Sequence, residues 1–160
     1  RFVEPRSNSV SSYQLAQLNI ARLVAPIDSP VLADFVANLD RIDALADRSL
    51  GFVWRFQTKD GDASAIRHFG EDMLVNMSVW ENVEALNCYV YESAHIEIMR
   101  RRKEWFELMD EVYLVLWWVP ERHRPSLPEA EAKLGLLREN GPSPEAFTFA
   151  KPFQAPGQVA

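Results

Sequence analysis

Cysteine occurs once in this chain, at Cys88, so no internal disulfide can form. A lone thiol suits a reducing compartment, and beside Tyr89, with no activating neighbour, it is expected to be buried and inert. Long apolar runs are missing: nothing approaches the ~18 residues of a membrane span. The opening stretch RFVEPRSNSVSS lacks the apolar core of a signal peptide, which makes the cytoplasm the default expectation. Positive charge is scarce, with 17 Lys and Arg against 23 Asp and Glu, a net charge of -6. Nucleic-acid binders show the opposite balance, so no nucleic acid and no membrane are expected as partners. Glycine is also sparse, and no Gly-rich loop offers a phosphate cradle, which leaves nucleotide cofactors without support. There is no HExxH or CxxC, and His68, His95 and His123 lie far apart in sequence, so no zinc site is expected.

What is there is ordinary in bulk. Hydrophobic residues make up 48% of 160, enough to bury one proper core. Residues 1–12 are polar and aperiodic and read as a loose N-terminal tail. From Tyr13 to Leu23 the pattern alternates, with Leu18 and Ile20 on one face and Gln17 and Asn19 on the other, which predicts a strand. Pro26 and Pro30 end it, Asp28 or Ser29 can cap the next element, and residues 31–47 carry a helical stripe of Leu32, Phe35, Val36, Leu39, Ile42 and Leu45. Gly51 turns the chain into a second strand, Phe52 to Thr58. A polar stretch with Asp60, Gly61 and His68 reads as a surface loop, or as a lid. Asp72 to Trp80 is a third strand, with Met73, Val75, Met77 and Val79 opposite Leu74, Asn76, Ser78 and Trp80.

A helical stretch comes next, over about 82–109, with a break expected near Ser93, and then a strand from Val112 to Val119. That strand is apolar on both faces, which predicts a central position. Ser126-Leu127-Pro128-Glu129 is a capping box that opens a helix closed by Asn140-Gly141-Pro142. Ala146 to Phe149 can add a short edge strand, and residues 150–160 form a C-terminal tail. The order β-α-β-β-α-β predicts a ferredoxin-like α+β fold over residues 13–149, an antiparallel sheet with both main helices on one face. Its other face is expected to be uncovered and partly apolar, bearing Trp80, Leu15 and Leu74.

His95 is the most informative single residue. Ile98, Met99, Arg102, Trp105 and Phe106 follow it at three, four, seven, ten and eleven residues, so it shares a helix face with apolar neighbours. It is either a hydrogen-bonded core residue or part of a lined cavity. If its helix caps the sheet, Trp80 and, by strand phase, Asn19, Arg55, Asn76 and Ser78 can meet it. Few directed polar groups among apolar walls is the pattern of a small-molecule site, and a partner face is the alternative. The run Arg100 to Lys103 reads as a solvated helix face, with Glu97, Glu104 and Glu107 at ion-pairing distance from Arg101, Arg100 and Lys103.

The segments LAQLNIARL (15–23), GFVWRFQ (51–57), VNMSVWENVEAL (75–86), SAHIEIMRRRKEWF (93–106), LWWVP with HRP (116–125) and GPSPEAFTF (141–149) resemble the bacterial domain-of-unknown-function family 3291. Where that family commonly has a small residue and Gly between WWVP and HRP, this chain has Glu121-Arg122. More distantly, Trp80, Glu84, Ala85, Leu86 and His95 are similar to the antibiotic-biosynthesis-monooxygenase type of dimeric α+β barrel. That resemblance implies a homodimer of sheets packed face to face, each enclosing a cavity, and chemistry ranging over cofactor-free oxygenases on aromatic polyketides, haem-binding or haem-degrading proteins and small isomerases. One fold hosts many sites, so three classes are open. The first is an enzyme on a small apolar or aromatic molecule, oxygenase-like or isomerase/cyclase-like, with His95 as general acid/base and Trp80 or Arg55 orienting substrate, and no cofactor. The second is a haem protein with His95 as axial ligand. The third is a non-catalytic dimeric binding module.

Overall fold

A computed structural model of the chain describes residues 12–57, 68–91 and 93–157. Most of the segment expected as a lid or surface loop, residues 58–67, and nearly all of the expected N-terminal tail lie outside those residues. Four strands build one sheet: β1 (Tyr13–Arg22), β2 (Phe52–Arg55), β3 (Met73–Trp80) and β4 (Leu114–Pro120). They run antiparallel in the order β2-β3-β1-β4, the ferredoxin-like arrangement. Helix α1 (Ala33–Arg48) links β1 to β2, entered through a tight turn at Pro30–Leu32 where proline is tolerated. The link from β3 to β4 is three short helices, α2 (Val83–Val90), α3 (Ser93–Arg100) and α4 (Arg102–Trp105). The chain therefore breaks its helix at Arg101 as well as before Ser93. Helix α2 begins where Asn82 accepts a hydrogen bond from the Ala85 N–H, 2.8 Å away. Helix α5 (Leu127–Asn140) opens on Ser126, which accepts from the Glu129 N–H, and ends on Gly141 at φ 75°.

Register fixes what each face carries. Leu15 stands opposite Trp80, Gln17 opposite Ser78 and Asn19 opposite Asn76. Those residues share the face beneath α1, α2 and α3, because side chains alternate along a strand. Leu15, Trp80, Leu86, Leu116 and Phe147 form one core there. The opposite face carries Ala16, Leu18, Ile20, Met73, Val75, Met77 and Val79, and it packs with Ala130, Leu134 and Leu137 of α5. The face bearing Trp80, Leu15 and Leu74 is thus the helix face and not an uncovered one. The true opposite face is closed within the chain by α5.

Strand β4 is at the sheet edge rather than central. It is apolar on both faces because α5 covers Val115, Trp117 and Val119, while Leu116 joins the helix-face core. Its outer rim is not bare either: Leu116 and Phe147 exchange both backbone hydrogen bonds at 2.8 Å, the expected short C-terminal edge strand reduced to one bridge. Beyond it, Trp118 Nε1 donates to the Phe153 carbonyl at 2.8 Å, and Phe153 packs on Phe147. Strand β2 is shorter than predicted and bulged between Phe52 and Trp54, which is why its alternation does not sort into an inner and an outer face. At the turn before it, Gly51 has φ 83°, and a Cβ there would come within 2.5 Å of the Ala85 Cβ. Cys88 lies exposed on α2, not buried, since Leu86 takes the inward position on that helix.

Candidate functional site

Between the helix face of the sheet and helices α1 and α3 lies a cavity of about 280 Å³. Its floor is the amide pair Asn19 and Asn76, its roof is the α3 stripe His95, Ile98 and Met99, and α1 contributes Phe35, Leu39 and Ile42. Apolar walls with a few directed polar groups suit a small molecule. The strand order sets the ends. Arg55 comes from β2 at one edge, and Tyr113, just before β4, stands at the other beside Arg102.

His95 is held in one tautomer. Its Nδ1 lies 3.1 Å from the Val90 carbonyl, which can only accept, so Nδ1 carries the proton. Nε2 keeps its lone pair and has no hydrogen-bond partner among the described residues. Burial pushes the imidazole below its ordinary pKa, opposed by the Val90 bond, so the ring is neutral near pH 7. Tyr89 tilts against it with ring centroids 5.0 Å apart, and Tyr89 in turn stacks on Trp80 at 5.0 Å. Burial, then the nearby Asp43 charge, push the Tyr89 phenol up, and it stays protonated.

Four of the sequence-predicted residues, His95, Arg55, Asn19 and Asn76, meet at this cavity. Trp80 and Ser78 lie behind it. Trp80 is buried under Tyr89, and its Nε1 donates to Ser78 Oγ at 2.8 Å. Gln17, which sequence reasoning passed over, joins the two layers: its Nε2 donates to Ser78 Oγ at 2.9 Å and to Asn76 Oδ1 at 2.6 Å. The Asn76 oxygen is thereby occupied, and its amino group is left for the cavity. The signal for Gln17 was its phase, the same as Asn19. The Asn19 side chain has no hydrogen-bond partner among the described residues, although it lies on the floor. Arg55 is engaged, with its guanidinium 2.9 Å from Asp47 and 3.4 Å from Asp43.

The basic run divides at the helix break. Arg101 points outward, pairs with Asp34 at 2.8 Å and Glu104 at 2.9 Å, and lies over the Trp105 ring. The expected pairing of Glu104 with Arg100 is replaced by this i,i+3 pair, because α3 ends at Arg100. Arg102 points the other way and lines the cavity, seven residues beyond His95 as the stripe foretold. The other two histidines are occupied elsewhere: His68 Nε2 lies 3.0 Å from Glu131, and His123 Nε2 lies 2.7 Å from Glu129, both acids on α5. Among the described residues no three His, Cys, Asp or Glu side chains group as a metal site, and no helix is long and apolar enough to cross a membrane.

The profile of the family named Domain of unknown function (DUF3291) matches residues 14–160. No curated protein matches the chain. Among solved structures it is similar to the NE2512 protein of unknown function from Nitrosomonas europaea, at 14% identity over 73% of this chain and 97% of that one, TM-score 0.46. It is also similar to SnoaB, a cofactor-independent oxygenase from Streptomyces nogalater, at 17% identity over 74% of this chain and 100% of that one, TM-score 0.42. PA3566 from Pseudomonas aeruginosa is similar at 11% identity over 71% of this chain and 99% of that one, TM-score 0.47.

Proposed function

The chain belongs to the DUF3291 family, and we propose that it is an enzyme for a small, largely apolar or aromatic compound, with His95 as its general base. The observation that carries this reading is the neutral imidazole that lines an apolar cavity, its Nδ1 fixed by the Val90 carbonyl and its Nε2 without a partner among the described residues. A base whose pKa lies below that of an ordinary histidine is mostly in its active form at pH 7. In the proposed step Nε2 takes a proton from an acidic C–H or O–H of the bound compound. The negative charge left on the neighbouring oxygen accepts hydrogen bonds from the Asn76 amino group and the Asn19 side chain. Returning the proton to a different atom completes an isomerisation or cyclisation; dioxygen as a co-substrate would instead take electrons from the carbanion in an oxygenase-like reaction.

Trp80 and Ser78 serve substrate binding indirectly, by holding Tyr89 and, through Gln17, Asn76. Arg55, tied to Asp43 and Asp47, closes the β2 end of the cavity. Haem would need His95 Nε2 on iron and apolar walls on both faces of a macrocycle. A volume of about 280 Å³ with amides across the floor favours a smaller compound than a macrocycle. The homodimer implied by the resemblance stays part of the proposal, with its interface away from the face that α5 covers.

Native mass spectrometry and an absorption spectrum of the protein as isolated test this reading together. We expect no Soret band after growth with added haem, and a co-purified organic molecule that His95→Ala no longer retains. His68→Ala should retain it. A Soret band lost in His95→Ala would replace the enzyme with a haem protein, and a ligand kept by His95→Ala would leave a plain binding module.

A further inference from the structure

Arg102 is the unusual residue of this cavity. It is half-buried, and among the described residues its guanidinium has no carboxylate within ion-pairing distance. Its polar contacts among those residues are to Tyr113 alone: Nη2 donates to the Tyr113 hydroxyl at 3.3 Å, and the guanidinium lies 5.6 Å from that ring. A guanidinium carries five donors, so most of its capacity is not taken up by the described residues. The hydroxyl of Tyr113, having accepted from Arg102, keeps its own hydrogen to donate. A guanidinium partly withdrawn from water, with no carboxylate beside it among the described residues, leaves a place that an anionic ligand can fill.

The rest of the lining agrees in sign. Of the described acidic side chains only Asp43 reaches the cavity, and Arg55 holds it at 3.4 Å. Asn76 adds an amino group with two donors, while its oxygen already accepts from Gln17 Nε2. A second groove shares Asn38 and Ile98 with the cavity and therefore opens beside it. That groove is rimmed by Arg41, Arg100 and Arg101, with Glu97 as the one acid among its described residues. Arg101 there is already paired with Asp34 and Glu104, which leaves Arg41 and Arg100 as the outward cations of that groove.

We infer that the compound bound here is an organic anion, an apolar ring body bearing a carboxylate that pairs with Arg102 and Tyr113. The inference rests on the cavity being a ligand site, as proposed above. His95 on α3 and Arg102 at the start of α4 both line the cavity, at separate places along its roof. The carboxylate then anchors one end of the ring body and delivers the other to Nε2. Arg41 and Arg100 on the adjoining groove favour the arrival of an anion more than its residence.

Calorimetric titration of the full chain with 2-naphthoate and with its neutral isostere 2-naphthamide tests this. The expected result is about tenfold or greater preference for naphthoate at low salt, the scale of one charge-assisted hydrogen bond. Arg102→Met should abolish the preference while keeping naphthamide binding within about twofold of wild type, which also shows that the variant folds. Equal affinity for the two probes in the wild type, or a preference that survives Arg102→Met, overturns the anion inference and leaves the cavity standing. Failure of the wild type to bind either probe overturns the cavity reading, and this inference falls with it.

Discussion

His95 gains its character from surroundings that a sequence discloses unequally. Its inward position was legible, because Ile98, Met99 and Arg102 follow at helical spacing. Its tautomer was not, since the Val90 carbonyl reaches Nδ1 only through the turn that separates α2 from α3. Arg102 was visible on the same stripe yet read as part of a solvated basic run; the break at Arg101 sends adjacent arginines to opposite sides. Gln17 was hidden for another reason, as a buried amide that acts through Asn76 leaves no motif. The lowered pKa of His95 has a consequence for stability. The unfolded chain, with an ordinary histidine near 6.5, binds more protons than the folded one just below that pH. The stabilisation is complete above about pH 6.5 and is lost as pH falls through the folded-state value. Urea unfolding at pH 7 and pH 5.5 should show a drop in the wild type that is smaller in His95→Gln. An equal drop in both proteins would mean that the ring is solvated in the fold.

Helices and strands with one clean face were read correctly, and those whose burial depends on distant segments were not. β1 and β3 alternate in the sequence as they do in the sheet, and the Ser126 cap opens α5 where the capping box places it. β4 looked central because apolarity on two faces does not reveal whether sheet neighbours or a helix and a C-terminal segment provide the cover. Val36 shares the α1 stripe by spacing but is exposed, since the residues α1 buries are Phe35, against Trp105 and Leu32, and Ala46, in the core with Leu15 and Trp80. The turn after β4 offers a direct test of element chemistry. Arg122 adopts φ 75°, the one positive value among described residues that are not glycine, at the place where the resembling family commonly has a small residue and Gly. A side chain there costs roughly 1–2 kcal/mol, and glycine's extra freedom in the unfolded chain returns about 0.5–1 kcal/mol of that. Arg122→Gly should therefore stabilise by about 0.5–1 kcal/mol, and Arg122→Val should destabilise, since a β-branched side chain fits this backbone worst. Urea midpoints decide it, and a glycine variant weaker than wild type would show that the arginine side chain itself holds the turn.

At the scale of the whole molecule, α5 changes what the sheet can do. The face with Leu18, Val75 and Met77 is buried inside one chain, so it is not free to pair with a second copy. The sequence could not reveal this, because α5 carries only a weak stripe and its inward residues Ala130, Leu134 and Leu137 are identified by the sheet they meet. Leu134→Asp should cost on the order of 3–5 kcal/mol, combining a lost buried leucine with an unpaired charge. It should also raise the mass seen by light scattering, as sheet surface is uncovered. A variant with unchanged stability and mass would mean that native chains already pair face to face with α5 displaced.

The two rims of the sheet complete the picture of a surface that does not recruit strands. A long straight strand with free amides along its outer side is a template on which further chains can add, the first step towards fibrous aggregates. Here one rim is β4, where the segment around Phe147 takes up backbone groups of Leu116, and the other is β2, four residues long and distorted at Trp54. Among the described residues neither rim presents a flat ladder, so the protein can be concentrated without its own sheet acting as a seed.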